Sequence, residues 1–510
     1  MSLLSTDLPY VVFSMGLAMS GQAGKGAGQI RPAAMAGRFY PESAPILKLA
    51  IEKFMQDALP SQVREPLAIV VPHAGYIYSG QICADGYKQV ANQPYEVVVI
   101  LATNHTTANL RKIVLYQGAG FRTPLGTAPV DGAIVSALLA SSPDCVADTA
   151  PHVREHSAEV QVPFIQFLFP RAKIVPAIVG EADPALAMRF GAVLAQVLKG
   201  RKALIVASSD LSHYPVAADA ELVDKKTLTA ITSLDPAALH ATTQAQMARQ
   251  IRGLDTSACG EAPIMVAMAA AKIMGATSGR VVSYANSGDL AIGERNRVVG
   301  YGAVVLGSGL TLTQETEIAP NLSTVEKTLI PADKEALLAL ARETISRYLT
   351  VQMVPLPRGF SSAAMEPRGV FVTLKKHGNL RGCIGRMIPD RPLAILVSMM
   401  ALQAAFEDHR FRPLTLDELP KIEIEISVLT PMQPVSGPGE IEVGRDGVLF
   451  QKGNSSAVFL PQVAPEQGWG RDEMLSNLCQ KAGLQADAWR EGGGSFSTFQ
   501  AEVFGEADDK

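Results

Sequence analysis

The chain has 510 residues, room for roughly three domains of ~150 residues or two larger ones. Hydrophobic residues make up 47% and charged residues 18%, a globular composition that excludes disorder over most of the length. Lys plus Arg number 45 against 49 Asp plus Glu, a net charge of −4, so a nucleic acid would need a local basic patch; 5 widely spaced cysteines argue against a secreted disulfide framework and for a reducing cytosol.

The first 29 residues hold an apolar stretch, Val11–Met19, of signal-peptide size, but no basic residue precedes it and Asp7 is the charge beside it. Residues 1–29 are therefore expected as a flexible leader, with Met15 and Met19 as alternative starts. From Arg31 the pattern alternates. Leu67–Val71, Val97–Leu101, Ile174–Ile178 and Ala203–Ala207 are short apolar runs suited to strands buried on both faces. Amphipathic stretches such as Ala158–Phe169 and Pro184–Leu198 separate them. With Val281–Tyr284 and Val298–Leu306 completing the sheet, the spacing predicts an α/β sandwich with a largely parallel sheet over 30–309.

Residues 310–328 are polar and turn-rich and read as a linker. A periodic helix then opens at Pro331 and runs to Leu349. Strands at Val370–Leu374, Ile422–Leu429 and Gly447–Gln451, mixed with helices at Leu393–Phe406 and Arg471–Ala482, predict a smaller α+β domain over 329–510. No run reaches the ~18 uninterrupted apolar residues of a membrane span. Ala262–Ala276 and Leu393–Phe406 are shorter, are broken by Lys272, Ser398 or Gln403, and read as buried helices.

Three apolar runs of the first domain end in metal-competent side chains. His73 follows Ile69-Val-Val-Pro, His105 follows Val99-Ile-Leu-Ala-Thr-Asn, and Asp210 and His213 follow Ile205-Val-Ala-Ser-Ser. Ligands of parallel α/β sheets bind outside the carboxyl ends of the strands, where the loops converge. Cys259, in Ser257-Ala-Cys-Gly-Glu261 ahead of an apolar helix, has a thiol able to face the same crevice. Two histidines with a cysteine or aspartate form a set that transition metals accept, and without a metal the cluster buries polar groups at a cost.

Ile30-Arg-Pro-Ala-Ala-Met-Ala-Gly-Arg-Phe-Tyr-Pro41, Val71-Pro-His-Ala-Gly-Tyr-Ile-Tyr-Ser-Gly80, Thr103-Asn-His105, Glu155-His-Ser-Ala-Glu-Val-Gln-Val-Pro163, Ser208-Ser-Asp-Leu-Ser-His-Tyr214 and Cys259-Gly resemble the Memo family, in order, over about 30–306. That family is similar in fold to class III (LigB-like) extradiol dioxygenases, non-haem iron enzymes. The resemblance implies that His73 and His105 are metal ligands, that Cys259 stands where the dioxygenases carry a carboxylate, and that His213 is near their acid–base histidine. Asp210 is then a further ligand or the group that orients His213. Glu155 and His156 belong to the rim or support the ligands, or else cap a helix. Thiolate in place of carboxylate softens the site; the implied cofactor is iron or copper, with zinc behind them.

In the second domain Leu380-Arg-Gly-Cys-Ile-Gly385 brackets Cys383 with glycines, and Arg381 is expected to favour a thiolate. That motif, with Ala404-Ala-Phe-Glu-Asp-His-Arg-Phe-Arg-Pro413, Ile424–Pro431 and Leu460–Trp469, resembles the AMMECR domain over about 329–505. His409 departs from the proline expected there. Arg381, Cys383 and Arg410 are the candidate cleft residues, Arg410 having the alternative of an ion pair with Glu407 or Asp408. The fusion resembles the AmmeMemoRadiSam system, whose third member is a radical S-adenosylmethionine protein. No Cys-x3-Cys-x2-Cys stretch is present here, so that partner is a separate polypeptide.

The leading expectation is a cytosolic metalloprotein with redox or dioxygenase-like chemistry on an unidentified small-molecule or peptide substrate, His213 moving the proton near neutral pH. The alternatives are an adaptor that holds a peptide or phosphorylated ligand in the same crevice, and a Cys383-dependent nucleotide or RNA modification.

Overall fold

A computed structural model of the chain describes residues 28–310 and 328–506. The Val11–Met19 stretch, and almost all of the expected leader and linker, lie outside the described residues. Those residues form two compact units: 28–310 with 350–356, and 328–349 with 357–506.

In the first unit the strands are β1 (Ile30–Arg31), β2 (Val63–Val71), β3 (Val97–Thr103), β4 (Ile113–Leu115), β5 (Gly120–Thr123), β6 (Gly126–Pro129), β7 (Cys145–Ala147), β8 (Lys173–Val179), β9 (Ala203–Ser208), β10 (Ser278–Asn286) and β11 (Gly300–Leu310). The main sheet has the order β10-β11-β2-β9-β3-β8-β4-β7. Its centre, β2-β9-β3-β8, is parallel. The flanks depart from the expected pattern: β10, β11 and β2 pair antiparallel, as do β8 and β4.

The central strands are rich in Val and Ile because both faces are covered, and β-branched side chains fit a pleated surface packed on either side. Along β3, Val98 and Ile100 enter one core with Leu47 and Phe54 of α1 (Ala44–Asp57), Ile82 of α2 (Tyr76–Lys88) and Phe164 of α4 (Val162–Leu168). Val97, Val99 and Leu101 enter the opposite core with Leu138 of α3 (Gly132–Ser141), Phe190 of α5 (Pro184–Val197), Leu228 of α6 (Ala217–Thr232), Leu239 of α7 (Pro236–Ala248) and Met265 of α8 (Glu261–Ile273). This is the period of two that a strand imposes. Helix α8 is buried all round from Ala262 to Ala271, and its alanines let α5 approach: a Cβ on Gly191 would stand 2.6 Å from that of Ala269.

The amphipathic stretch expected over Ala158–Phe169 divides. A single 3-10 turn, Glu159–Gln161, precedes α4, because Glu159 and Gln161 are turned inward to buried partners.

The second unit carries α9 (Pro331–Val351), an antiparallel sheet of β12 (Val370–Lys376), β13 (Asn379–Arg386), β14 (Ile422–Leu429) and a C-terminal strand (Ala501–Gly505), and a second four-stranded sheet, all antiparallel, from Gln433–Val435, Gly447–Lys452, Ser455–Phe459 and Gly494–Phe499. Helix Leu393–Phe406, apolar through nearly its whole length, is this unit's buried helix. No helix among the described residues is long and apolar enough to cross a membrane.

Candidate metal centre

Strands β2, β9 and β3 lie side by side and run parallel, so their carboxyl ends open on one edge about 4.8 Å apart from neighbour to neighbour. His73 stands two residues beyond β2 and His105 two beyond β3, with Asp210 and His213 coming from between them. Cys259 comes from the segment that leads into α8, one residue ahead of Gly260, the N-cap of that helix. A Cβ on Gly260 would stand 2.5 Å from Ser209 Cβ and 2.6 Å from Thr103 Oγ1, so only glycine lets this segment sit against the strand ends. The Gly260 amide donates to Ser209 Oγ (2.9 Å) and the Cys259 amide to the Asp210 carbonyl (3.3 Å).

The result is a set of donors facing inward. The ligand atoms of His73, His105 and Cys259 lie within 4.8 Å of one another, with Cys259 Sγ 3.3 Å from His73 Nε2. An ion bonded to nitrogen at about 2.05 Å and sulfur at about 2.3 Å holds them roughly 3.5 Å apart in a tetrahedral arrangement, so the pair fits a transition metal. His105 and His156 stack at 4.5 Å, and His73 meets His105 edge-on at 5.1 Å.

Glu155 braces the set. Its carboxylate, buried, accepts the His105 amide (2.7 Å), faces His105 Nδ1 at 2.9 Å and accepts the Ser157 amide (2.9 Å). Burial raises this carboxyl, but the His105 hydrogen bond and charge, with His156 and the Ser157 amide, outweigh it and hold Glu155 at about 2. For His105, burial alone lowers the pKa; hydrogen bonds and charge from Cys259 and Glu155 win and raise it to about 10. His156 Nδ1 is 3.4 Å from Glu155 Oε1, and burial followed by the His105 charge pushes it down to about 4. The helix-capping alternative for Glu155 and His156 gives way to contact with the His105 ring. Burial and the neighbouring imidazoles hold His73 well below the usual histidine range.

Asp210 Oδ1 accepts the amides of His73 (2.8 Å) and Ala74 (3.3 Å), and Oδ2 stands 3.9 Å from both His73 Nε2 and His213 Nε2. His213 differs from expectation in its titration. Burial, then the His105 charge, lowers it to about 4, so it is neutral at pH 7. Asp210, raised by burial to about 6 against its amide hydrogen bonds, is the group that titrates closer to neutrality. Among the described residues the buried His213 Nε2 has no hydrogen-bond partner, and Asp210, His213 and Cys259 form a second close trio.

Residues that sequence reasoning did not single out hold these in place. Arg31 and Glu159 form a fully buried ion pair at 2.6 Å, and Arg31 also donates to the carbonyl of Glu155 (2.7 Å). Ser208 Oγ lies 3.0 Å from His73 Nδ1. The signal for these was polar identity inside stretches otherwise built for burial.

In the second unit Cys383 lies on β13, an edge strand. Its amide donates to Asp408 Oδ2 (2.9 Å), its carbonyl accepts from Arg410 (3.1 Å), and Arg410 forks onto Asp408 at 2.7 Å. Asp408 and Arg410 thus occupy the open hydrogen-bonding edge of the sheet at this residue. Arg410 takes the ion-pair alternative, with Asp408 rather than Glu407. Arg381 corrects the thiolate expectation: its guanidinium is spent on Glu418 (2.9 Å) and the Arg412 carbonyl (2.9 Å). Burial pushes the Cys383 thiol up, against the Thr373 hydroxyl at 3.2 Å and the Arg410 charge.

The family described as Memo-like protein matches residues 31–305, and the family described as AMMECR1 matches 338–504. A MEMO1 family protein of Aquifex aeolicus is 38% identical over 278 residues, 54% of this chain and 97% of that one. A protein of Pyrococcus furiosus is 42% identical over 183 residues, 34% of this chain and 87% of its own length. Among solved structures, a protein of Pyrococcus horikoshii shares 38% identity at a TM-score of 0.33, covering 34% of this chain and 92% of that one.

Proposed function

The chain belongs to the Memo-like protein family, with an AMMECR1 unit after it, and from that membership we propose that the first unit is a transition-metal protein with redox or dioxygenase-like chemistry held by His73, His105 and Cys259. The observation that carries this reading is the convergence of two imidazoles and a sulfur, from three distant stretches of chain, within 4.8 Å. Iron or copper suits both the donor set and the proposed chemistry, zinc the donor set alone. When bound, such an ion supplies electron transfer and Lewis acidity to a small substrate.

The residues of the chain have separate tasks. Glu155 keeps the His105 ring oriented and electron-rich, as carboxylates behind metal-binding histidines do. His213, neutral at pH 7 and with a bare Nε2, takes a proton from a substrate hydroxyl. Asp210, 3.9 Å from that nitrogen, stabilises the imidazolium that results. The fold likeness to class III extradiol dioxygenases, a cytosolic location and a separate radical S-adenosylmethionine protein as partner belong to the same proposal.

The test is metal analysis of the full chain purified without a histidine tag. Iron or copper is expected in the native protein and is expected to be lost in His73→Ala and in Cys259→Ala. Metal content unchanged in both variants removes the site. Oxygen uptake with a panel of catechols by the loaded protein then decides the redox part, which falls if there is no turnover.

A further inference from the structure

We infer that Ser208 is a positioning residue that fixes which nitrogen of His73 faces Cys259. This deepens the metal-centre reading and rests on it for its consequence alone. Ser208 closes β9 and is fully buried, and three polar atoms surround its hydroxyl: the Ser157 carbonyl oxygen at 2.7 Å, Gln161 Nε2 at 2.9 Å and His73 Nδ1 at 3.0 Å. A carbonyl oxygen only accepts, so the one hydroxyl hydrogen goes to Ser157. An amide nitrogen only donates, and the orientation of Gln161 is settled by its other contacts. Its Nε2 also donates to the Pro72 carbonyl (2.9 Å), while its Oε1 receives the Tyr87 hydroxyl (3.3 Å).

Ser208 therefore has a lone pair and no hydrogen left for His73. Nδ1 must carry the proton and donate it. A neutral imidazole has a single N–H, so Nε2 keeps its lone pair, and Nε2 is the nitrogen 3.3 Å from Cys259 Sγ. The opposite tautomer would set two lone pairs against each other in a buried site. His105 also gives its Nδ1–H to an acceptor, the Glu155 carboxylate. Gln161, held by Pro72 and Tyr87, is what denies Ser208 the choice. The chain thus presents His73 Nε2 with a bare lone pair before any metal arrives.

The test is a two-bond 1H–15N correlation spectrum of the full chain, labelled at histidine and stripped of metal, with His73→Ala to assign the resonance. The native protein is expected to show His73 as the Nδ1–H tautomer. Ser208→Ala, which keeps the backbone carbonyl of residue 208 beside the ring, is expected to let Nε2–H appear alongside Nδ1–H and to weaken zinc binding roughly 10- to 100-fold in a chelator competition, with Ser208→Thr restoring both. A native spectrum showing Nε2–H overturns the inference, as does a Ser208→Ala protein that keeps Nδ1–H alone and native affinity. The native spectrum is read without metal, so it decides the tautomer even if Ser208→Ala does not fold, and independently of whether His73→Ala and Cys259→Ala lose their metal.

Discussion

Replacing Glu159 by Gln keeps the shape of the side chain and removes a single charge from a site where both members of the ion pair are at most 1% exposed. The carboxylate accepts Arg31 Nη1, the amides of Ala34 and Met35 at 2.8–3.0 Å, and the Tyr40 hydroxyl. An amide there can satisfy some of those donors but turns N–H groups toward others and leaves the Arg31 charge buried without its counterion. Breaking a buried pair from one side costs about 3–5 kcal/mol, whereas an exposed pair such as Lys225–Glu221 is worth roughly 0.3–0.5 kcal/mol. At about 1.4 kcal/mol per tenfold, Glu159→Gln should speed the exchange of the best-protected amides of β3 and β9 by roughly 140- to 4000-fold. Glu221→Gln should change them less than about threefold. Hydrogen exchange read peptide by peptide by mass spectrometry separates the first unit from the second. An acceleration below about tenfold would refute the view that this pair anchors the fold. Because Arg31 also holds the Glu155 carbonyl, the same variant should bind metal more weakly.

Glu155→Gln should weaken metal binding roughly 10- to 100-fold by isothermal titration, since His105 loses its anionic acceptor, and affinity within about twofold of native would count against that role. Asp224 accepts the Ser212 amide and hydroxyl and the Tyr284 hydroxyl, yet burial raises it to about 7. The folded state therefore holds this proton more tightly than the unfolded chain; the contribution is full below about pH 4 and lost as pH rises through about 7. Asp224→Asn should gain on the native protein by roughly 2–4 kcal/mol between pH 5 and 8 in urea titrations, and parallel curves would exclude the effect. Alkylation of Cys383 by iodoacetamide at pH 7 should run slower than for a free thiol, because burial disfavours its thiolate; a rapid reaction would revive the nucleophile reading.

The candidate ligands His73 and His105 were legible because each sits where an apolar run stops, and Cys259 because it stands just ahead of an apolar helix. The supports were not. Ser208 acts on a histidine 135 positions away, and its own proton is directed by Ser157 and Gln161, 51 and 47 positions away. No local pattern encodes such a relation. The boundary at Val298 fails for a similar reason: the predicted strand begins there, yet Val298 accepts the Tyr214 amide and Val299 bridges His213, so β11 starts at Gly300, after the chain has braced the loop that carries His213. Strands β4 and β7 have three residues each, too few to display a period.

Cys259 and Cys383 show why residue type and local motif were insufficient to rank two sites. Both are half-buried cysteines beside glycine, and both drew attention for that reason. Around Cys259 the nearest polar side-chain atom is an imidazole nitrogen with a lone pair to give, and a second imidazole, a carboxylate and an unpartnered His213 nitrogen complete the surroundings. Around Cys383 the partners are a threonine hydroxyl at the sulfur and an aspartate–arginine fork that pairs with its backbone rather than its thiol. Lone pairs converging on a sulfur leave room for a cation to lower the energy of all of them at once. A fork that satisfies the amide and carbonyl of an edge strand has already spent its charges on structure. The chemistry proposed for this protein therefore rests on where the second and third donors stand, and they stand together at the strand ends of the first unit.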